Sequence, residues 1–164
     1  MKRILLDTNI YGLIVVDKER ENIREELSKK KFIVYGNSII KNELRKTPHI
    51  FVDGINLRND LVRLYREIIK NHDLTIKKSD IELAESYYKA YQELGGITSK
   101  TKLINDLTIV ASATNSLLDI IVSEDNRTML NEILLKSYRL VNDIWKKPLP
   151  RFIGYEEFKK QIKK

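Results

Sequence analysis

Cysteine is absent from the 164 residues, and with it go disulfides, zinc–thiolate centres and thiol nucleophiles. The two histidines, His49 and His72, are too few and too scattered to build an imidazole metal cage. Any metal held by this chain must be held through oxygen, which favours Mg²⁺ or Mn²⁺ over Zn²⁺. Neither the GxGxxG nor the Walker A phosphate loop occurs, which argues against a nucleotide-cofactor enzyme. No apolar run approaches the roughly 20 residues of a membrane span. The first apolar run, Ile4-Leu5-Leu6, is also too short for the core of a secretory leader. A soluble, cytoplasmic protein with no membrane contact is expected. No repeat, low-complexity tract or linker divides the chain. One domain is therefore expected, large enough to bury roughly two thirds of its unfolded surface.

What is present is charge, and acids in costly places. Thirty Lys and Arg against 23 Asp and Glu leave a net charge of +7. Such an excess favours polyanionic partners, of which nucleic acid is the commonest inside cells, although it also fits an ordinary solvated surface. In the stretch Arg3-Ile4-Leu5-Leu6-Asp7-Thr8-Asn9-Ile10, three consecutive apolar residues precede the acid, the pattern of a strand covered on both faces. Asp7 then falls at the carboxyl end of that strand, where open α/β sheets place their ligands. Phe32-Ile33-Val34-Tyr35 reads as a second buried strand, 74–76, 119–123 and 139–141 as further strands. Helices are expected from Thr8 or Asn9 as caps, over 17–31, from Ser38 to about Arg45, over 54–71, from the Ser79-x-x-Glu82 capping box to Gly95, and over 103–115 and 127–136. Alternating helices and strands predict an α/β layer fold with a mainly parallel sheet and right-handed crossovers. Residues 1–144 form the domain in this reading, with 145–164 a basic tail packed on it.

Four acids stand out. Glu43 projects from the face of its helix marked by Ile39 and Ile40, and Asp106 lies inside or at the edge of the stripe Leu103, Leu107, Val110. Asp125 follows the strand 119–123 at the same kind of strand end as Asp7. Each has an ordinary explanation: Asp7 as a helix cap, Glu43 paired with Lys46, Asp106 complementing a helix dipole, Asp125 in a turn. Parallel topology nevertheless sends both strand ends, and the helices that start after strands, to one rim. Two carboxylates about 4 Å apart repel by about 4 kcal/mol at an effective dielectric near 20. Protonation or a divalent cation would relieve such a cluster. Metal-assisted phosphodiester hydrolysis is the chemistry this suggests. A phosphatase is disfavoured, because the usual second Asp two residues after the first is here Asn9.

The segments Leu5-Leu6-Asp7-Thr8-Asn9, Ile39–Leu44 around Glu43, Asn105-Asp106-Leu107-Thr108-Ile109-Val110-Ala111-Ser112-Ala113 and Ile121-Val122-Ser123-Glu124-Asp125 resemble, in order and spacing, those of PIN-domain nucleases. That fold is shared by VapC-type toxins of toxin–antitoxin modules and by several RNA-processing nucleases. The resemblance spans residues 1 to about 142. It implies a three-layer α/β/α domain and Mg²⁺- or Mn²⁺-dependent endoribonuclease activity on RNA. By position, Asp7, Glu43, Asp106 and Asp125 match the metal-binding acids. Asp7 and Asp106 would bind the principal ion, Glu43 that ion or the attacking water, and Asp125 a second ion. Ser123 matches a hydroxyl that orients an acid, and Asn9 a polar residue beside the first acid. Arg45, Lys46, Lys100 and Lys102 adjoin these motifs as candidate phosphate contacts. A separate antitoxin chain and a homodimer are the implied partners, with Tyr87, Tyr88 and Tyr91 as a candidate dimer surface. The helix over 54–71 and the tail lie outside the shared pattern. A nucleic-acid-binding module without catalysis, or an RNA-processing nuclease, is the competing reading.

Overall fold

The computed structural model describes residues 1–29 and 31–164. Five parallel strands form the central sheet: β1 (Lys2–Leu6), β2 (Phe32–Asn37), β5 (Asp73–Leu74), β6 (Ile120–Val122) and β7 (Arg151–Ile153), in the order β5-β2-β1-β6-β7. Leu5 and Leu6 of β1 and all three residues of β6 are buried, as continuous apolar strands covered on both faces must be. A separate hairpin of β3 (Phe51–Val52) and β4 (Ile55–Asn56) turns at Asp53 and Gly54, both at positive φ, which suits a tight two-residue loop.

The helices sort into two groups. One contains α1 (Thr8–Val16), α2 (Arg20–Ser28), α3 (Ser38–Arg45) and α4 (Leu57–Ile69), with α8 (Tyr155–Lys163) joined to it through α2. The other contains α5 (Lys78–Glu93), α6 (Lys100–Asn115) and α7 (Glu132–Trp145). This is the three-layer, PIN-like α/β/α architecture expected from the sequence. The chain steps outward from β1 through β2 to β5, crosses back, and then steps from β6 to β7. The direction of winding therefore reverses between β1 and β6, and ligands of such sheets bind outside the strand ends at that reversal.

Several local expectations are corrected. Residues 139–141 are not a strand; they lie inside α7, whose buried face is Leu134, Ser137, Tyr138, Val141 and Asn142. The helix expected over 127–136 starts instead at Glu132, after Asn131 accepts from the backbone N–H of Ile133 at 3.0 Å. The first caps are Asp7 and Asn37, each one residue ahead of the expected site. At the start of α5 the reciprocal bond comes from Asp80, which accepts from the Lys77 N–H at 2.8 Å, and not from Glu82. Tyr87 and Tyr91 are buried: Tyr87 donates to Asn142 Oδ1 at 2.6 Å, and the Tyr91 hydroxyl accepts from Thr98 N–H at 3.1 Å. Neither is free to form a dimer surface. The segment after α7 supplies both the edge strand β7 and α8. Among the described residues, no helix is long and apolar enough to cross a membrane.

Candidate active site

The end of β1 sets the site. Asp7 N–H donates to Val122 C=O at 2.9 Å and Ser123 N–H to Ile153 C=O at 3.1 Å, so the ladder runs one residue past both strands. Leu6 lies opposite Val122, which places Asp7 and Ser123 side by side where the winding reverses. Ser123 Oγ donates to Asp7 Oδ2 at 2.7 Å. Asn9 Nδ2 donates to the same oxygen at 3.1 Å, while Oδ1 accepts from the Thr8 N–H at 2.8 Å. Asp7 therefore does cap α1, yet this does not exhaust it, because a cap has no need to be only 3% exposed.

The other acids reach the same rim from three elements. Asn37 ends β2 and accepts from Ile40 N–H at 3.0 Å, starting α3 so that its second turn brings Glu43 to the Thr8 hydroxyl, which donates to its Oε2. Asp125 sits in the loop after β6: its N–H donates to Ser123 Oγ at 3.1 Å. Its carboxylate accepts from Arg127 N–H at 3.1 Å, from Thr128 N–H at 3.0 Å and from the Thr128 hydroxyl at 2.5 Å. Asp106, from the second turn of α6, also lies beside Thr128. The four carboxylates are thus interleaved with three hydroxyl residues, in the sequence Glu43, Thr8, Asp7, Ser123, Asp125, Thr128, Asp106.

The sequence marks Thr8 only as a candidate helix cap within the first motif and does not mark Thr128. Their signal was local: a hydroxyl directly after the first acid, and the Asp-x-x-Thr spacing that lets a carboxylate close its own turn. Glu124, next to Asp125, plays a different part, since it accepts from the Tyr155 N–H and caps α8 from across the chain. Its own N–H donates to Asn9 Oδ1 at 3.3 Å, which fixes the amide that serves Asp7.

Burial dominates the electrostatics. It pushes Asp7 up to about 6, against the Ser123 and Thr8 hydrogen bonds, with Glu43 and Asp125 adding to the rise. Burial likewise lifts Asp106 to about 7, with Thr128 opposing it and Asp7, Asp125 and Glu43 adding their charge. Among the described residues, no Lys or Arg forms an ion pair with any of the four acids. Of the candidate phosphate contacts, Lys100 is paired with Glu85, while Arg45, Lys46 and Lys102 are exposed. Among the described residues, no three acids or histidines stand close enough to grip one ion as the side chains lie. Glu43 and Asp125 are instead held by Thr8 and Thr128. In its chemistry the donor set fits a hard divalent cation, being all oxygen, partly desolvated and lacking a cationic partner.

No family model matches this sequence, and no curated protein matches it by sequence. Solved structures do match its fold. A chain in the crystal structure of VapBC2 from Rickettsia felis, bound to a DNA fragment from its promoter, has a TM-score of 0.57 at 13% identity, covering 93% of this chain and 98% of that one. A chain of FitAB bound to an IR36 DNA fragment gives 0.56 at 14% identity, covering 93% and 94%. A chain of FitAcB from Neisseria gonorrhoeae gives 0.57 at 17% identity, covering 92% and 96%. At such identities the likeness establishes the fold, and it extends over nearly the whole of each chain.

Proposed function

We propose that this chain is a VapC-type ribonuclease that hydrolyses RNA phosphodiester bonds with the help of Mg²⁺ or Mn²⁺. The observation that carries the reading is the buried Asp7, bonded by Ser123 at the reversal of winding, with Glu43, Asp106 and Asp125 gathered at the same rim; burial lifts Asp106 to about 7, and the charges of Asp7, Asp125 and Glu43 add to the rise. Buried carboxylates without a cationic partner are costly unless they serve a charge that arrives later. Asp7 and Asp106 would hold the principal ion, with Glu43 and Asp125 in support. When bound, that ion lowers the pKa of a water and stabilises the developing charge on the phosphate. The protein's own part is orientation: Ser123 and Asn9 fix Asp7, Thr8 fixes Glu43, and Thr128 fixes Asp125 beside Asp106. A separate antitoxin chain and a homodimer belong to the same reading; Tyr88, half-buried, is the one tyrosine of the three left to take part at a surface.

Incubation with unstructured and structured RNA, in Mg²⁺, Mn²⁺ or EDTA, tests this. Cleavage is expected only with a divalent ion and only when Asp7 is intact. Cleavage that survives EDTA, or that persists in Asp7→Asn, overturns it. The engagement of Glu43 and Asp125 by hydroxyls favours one other reading, a nucleic-acid-binding module that keeps the fold without catalysis. RNA binding with no cleavage in either metal is its signature.

A further inference from the structure

We propose that the groove between α3 and α4 is a track for the phosphate backbone of single-stranded RNA, running up to the acidic site from the far side of α3. The identity of the polyanion rests on the ribonuclease reading; the track itself rests on the groove. Its cationic lining is Arg45 from the last turn of α3 and Arg58, Arg63 and Arg66 from α4, with His49 between them, in a cleft of about 590 Å³. The whole chain has ten Arg and twenty Lys, yet every Lys or Arg lining this groove is Arg. Guanidinium groups bind phosphate in a fixed fork, where an ammonium is a mobile point charge, so the bias is the one a phosphate track would need.

The charges are spaced along an axis. Arg58 and Arg66 are eight residues apart on one row of α4, with Val62 between them, which is about 12 Å of helix. The opposite face of α4 buries Leu61, Leu64, Tyr65 and Ile69, so the row is carried on an anchored element. Arg58 Nη1 donates to His49 Nε2 at 2.8 Å, which fixes its fork. Little of this charge is spent within the protein. Among the described residues, Arg45, Arg58 and Arg66 form no ion pair, Arg63 approaches Asp60 only at 3.9 Å, and the one acid of the groove, Glu67, is taken by Arg24. Among the described residues, every one lining the open groove except Val62 carries a charged or polar side chain, which suits an extended backbone better than a folded partner's apolar anchor.

The groove and the acids share α3. Glu43 and Arg45 are two residues apart and so leave the helix on nearly opposite sides, Glu43 toward Thr8 and Arg45 toward Tyr65. Tyr65 in turn donates to the Asn37 C=O at 3.2 Å, at the root of α3. A strand with one phosphate at the acids would therefore meet the arginines after crossing about one helix diameter, 10–12 Å. This gives a role to the basic helix that lies outside the motifs shared with PIN domains.

The test measures binding apart from cleavage, in full-length protein carrying Asp7→Asn and without divalent ion. A fluorescein-labelled unstructured oligoribonucleotide is titrated by anisotropy across a salt series. Adding Arg58→Gln and Arg66→Gln together is expected to weaken binding about tenfold or more. It should also reduce the slope of log affinity against log salt by about 1.4, at roughly 0.7 for each phosphate released. Arg58→Lys with Arg66→Lys should recover most of the slope, and Arg139→Gln on α7 should change neither quantity. An unchanged melting temperature in the double Gln variant excludes misfolding, as both residues lie on the solvent side of α4. Unaltered affinity and slope overturn the track. So does an equal or larger loss for duplex DNA or for an acidic peptide in place of single-stranded RNA. Loss of binding in a protein that cleaves nothing in Mn²⁺ keeps the track and removes the ribonuclease reading; cleavage with unchanged binding does the reverse.

Discussion

The rim of acids and the groove of arginines are both accumulations of one charge, set on either side of α3, but the protein handles them oppositely. Asp7 is 3% exposed, and burial is the largest influence on both Asp7 and Asp106. The arginines at 45, 63 and 66 are exposed, and their mutual repulsion is screened by water and salt. A buried like-charge cluster can be relieved only by something small that enters it, a proton or a compact cation. An exposed one is relieved by any polyanion long enough to lie along it. The depth of each charge thus predicts the kind of ligand: an ion for the rim, a backbone for the groove.

The largest test of that contrast is Asp7→Asn. It keeps the size of the side chain, removes the charge, and should lower cleavage by about 10²–10³-fold, the scale of losing a principal electrostatic contact at a reacting centre. RNA binding through the groove should stay within a factor of a few. If binding falls as far as cleavage, rim and groove are one site and the contrast fails.

Next comes the pH dependence of the metal-free fold. Asp7 is displaced upward, from 3.8 to about 6, so the folded state binds more protons than the unfolded one between those values. Stability should therefore be greatest at the acid end of that window and fall as pH rises through it, by about 3 kcal/mol for Asp7 alone. Asp106, lifted to about 7, extends the fall toward neutrality. Asp17, held below its ordinary value by hydrogen bonds that outweigh its burial, acts in the opposite sense and only below about 3.8, outside this window. Melting in EDTA should thus be higher near pH 5 than near 7.5, and Mn²⁺ at 7.5 should restore much of the difference. A flat profile in EDTA would mean that the rim is not strained by its charge.

The central sheet was legible because β6 and the Ile4-Leu5-Leu6 part of β1 are continuously apolar, a pattern that leaves few alternatives to a covered parallel strand. The four acids were legible because they stand at strand ends and on apolar helix faces. What was not legible depended on longer context. Arg139-Leu140-Val141 has strand-like composition, yet Tyr138, Val141 and Asn142 form a helical stripe whose burial against α5 and the sheet decides the matter. The buried face of α5 takes in Leu83, Ala84, Tyr87, Ala90 and Tyr91, so two of the three tyrosines of the candidate interface belong to the core, which their helical spacing alone did not separate from a surface. β7 is three residues between Pro150 and Gly154, too short to announce itself without β6 beside it. The bonds of the Thr8 and Thr128 hydroxyls were not legible because their partners are acids whose positions only the fold supplies.

Ser123→Ala sharpens the contrast on the rim side. The hydroxyl holds Asp7 Oδ2 and receives the Asp125 N–H, so its loss frees two acids without touching their charge. Substitutions in this supporting position cost about 10–100-fold in metal affinity or activity elsewhere. Here the loss should appear as a higher Mn²⁺ concentration for half-maximal cleavage, with RNA affinity unchanged. In the groove, among the described residues, Arg58 alone of the four arginines has a side-chain hydrogen bond, to His49. His49→Ala should accordingly move RNA affinity by less than Arg58→Gln does.

The smallest effect separates Glu124 from Asp125, its neighbour in the chain. Asp125 faces the rim, whereas Glu124 accepts from Tyr155 N–H at the start of α8 and stands so close to Gly154 that a Cβ there would meet its Oε1 at 2.7 Å. Glu124→Ala removes a helix cap and should cost about 1 kcal/mol of stability, read as a small drop in melting temperature. Cleavage per folded molecule should be nearly unchanged, since the bond that Glu124 makes to Asn9 comes from its backbone N–H, which alanine keeps, and the Asn9 amide still donates to Asp7 at 3.1 Å. Asp125→Ala should show the reverse, a large loss of cleavage with less effect of pH on the fold, because one of the charges that raises Asp7 and Asp106 is gone. If the two variants behave alike, the rim extends to α8 and its acids number five.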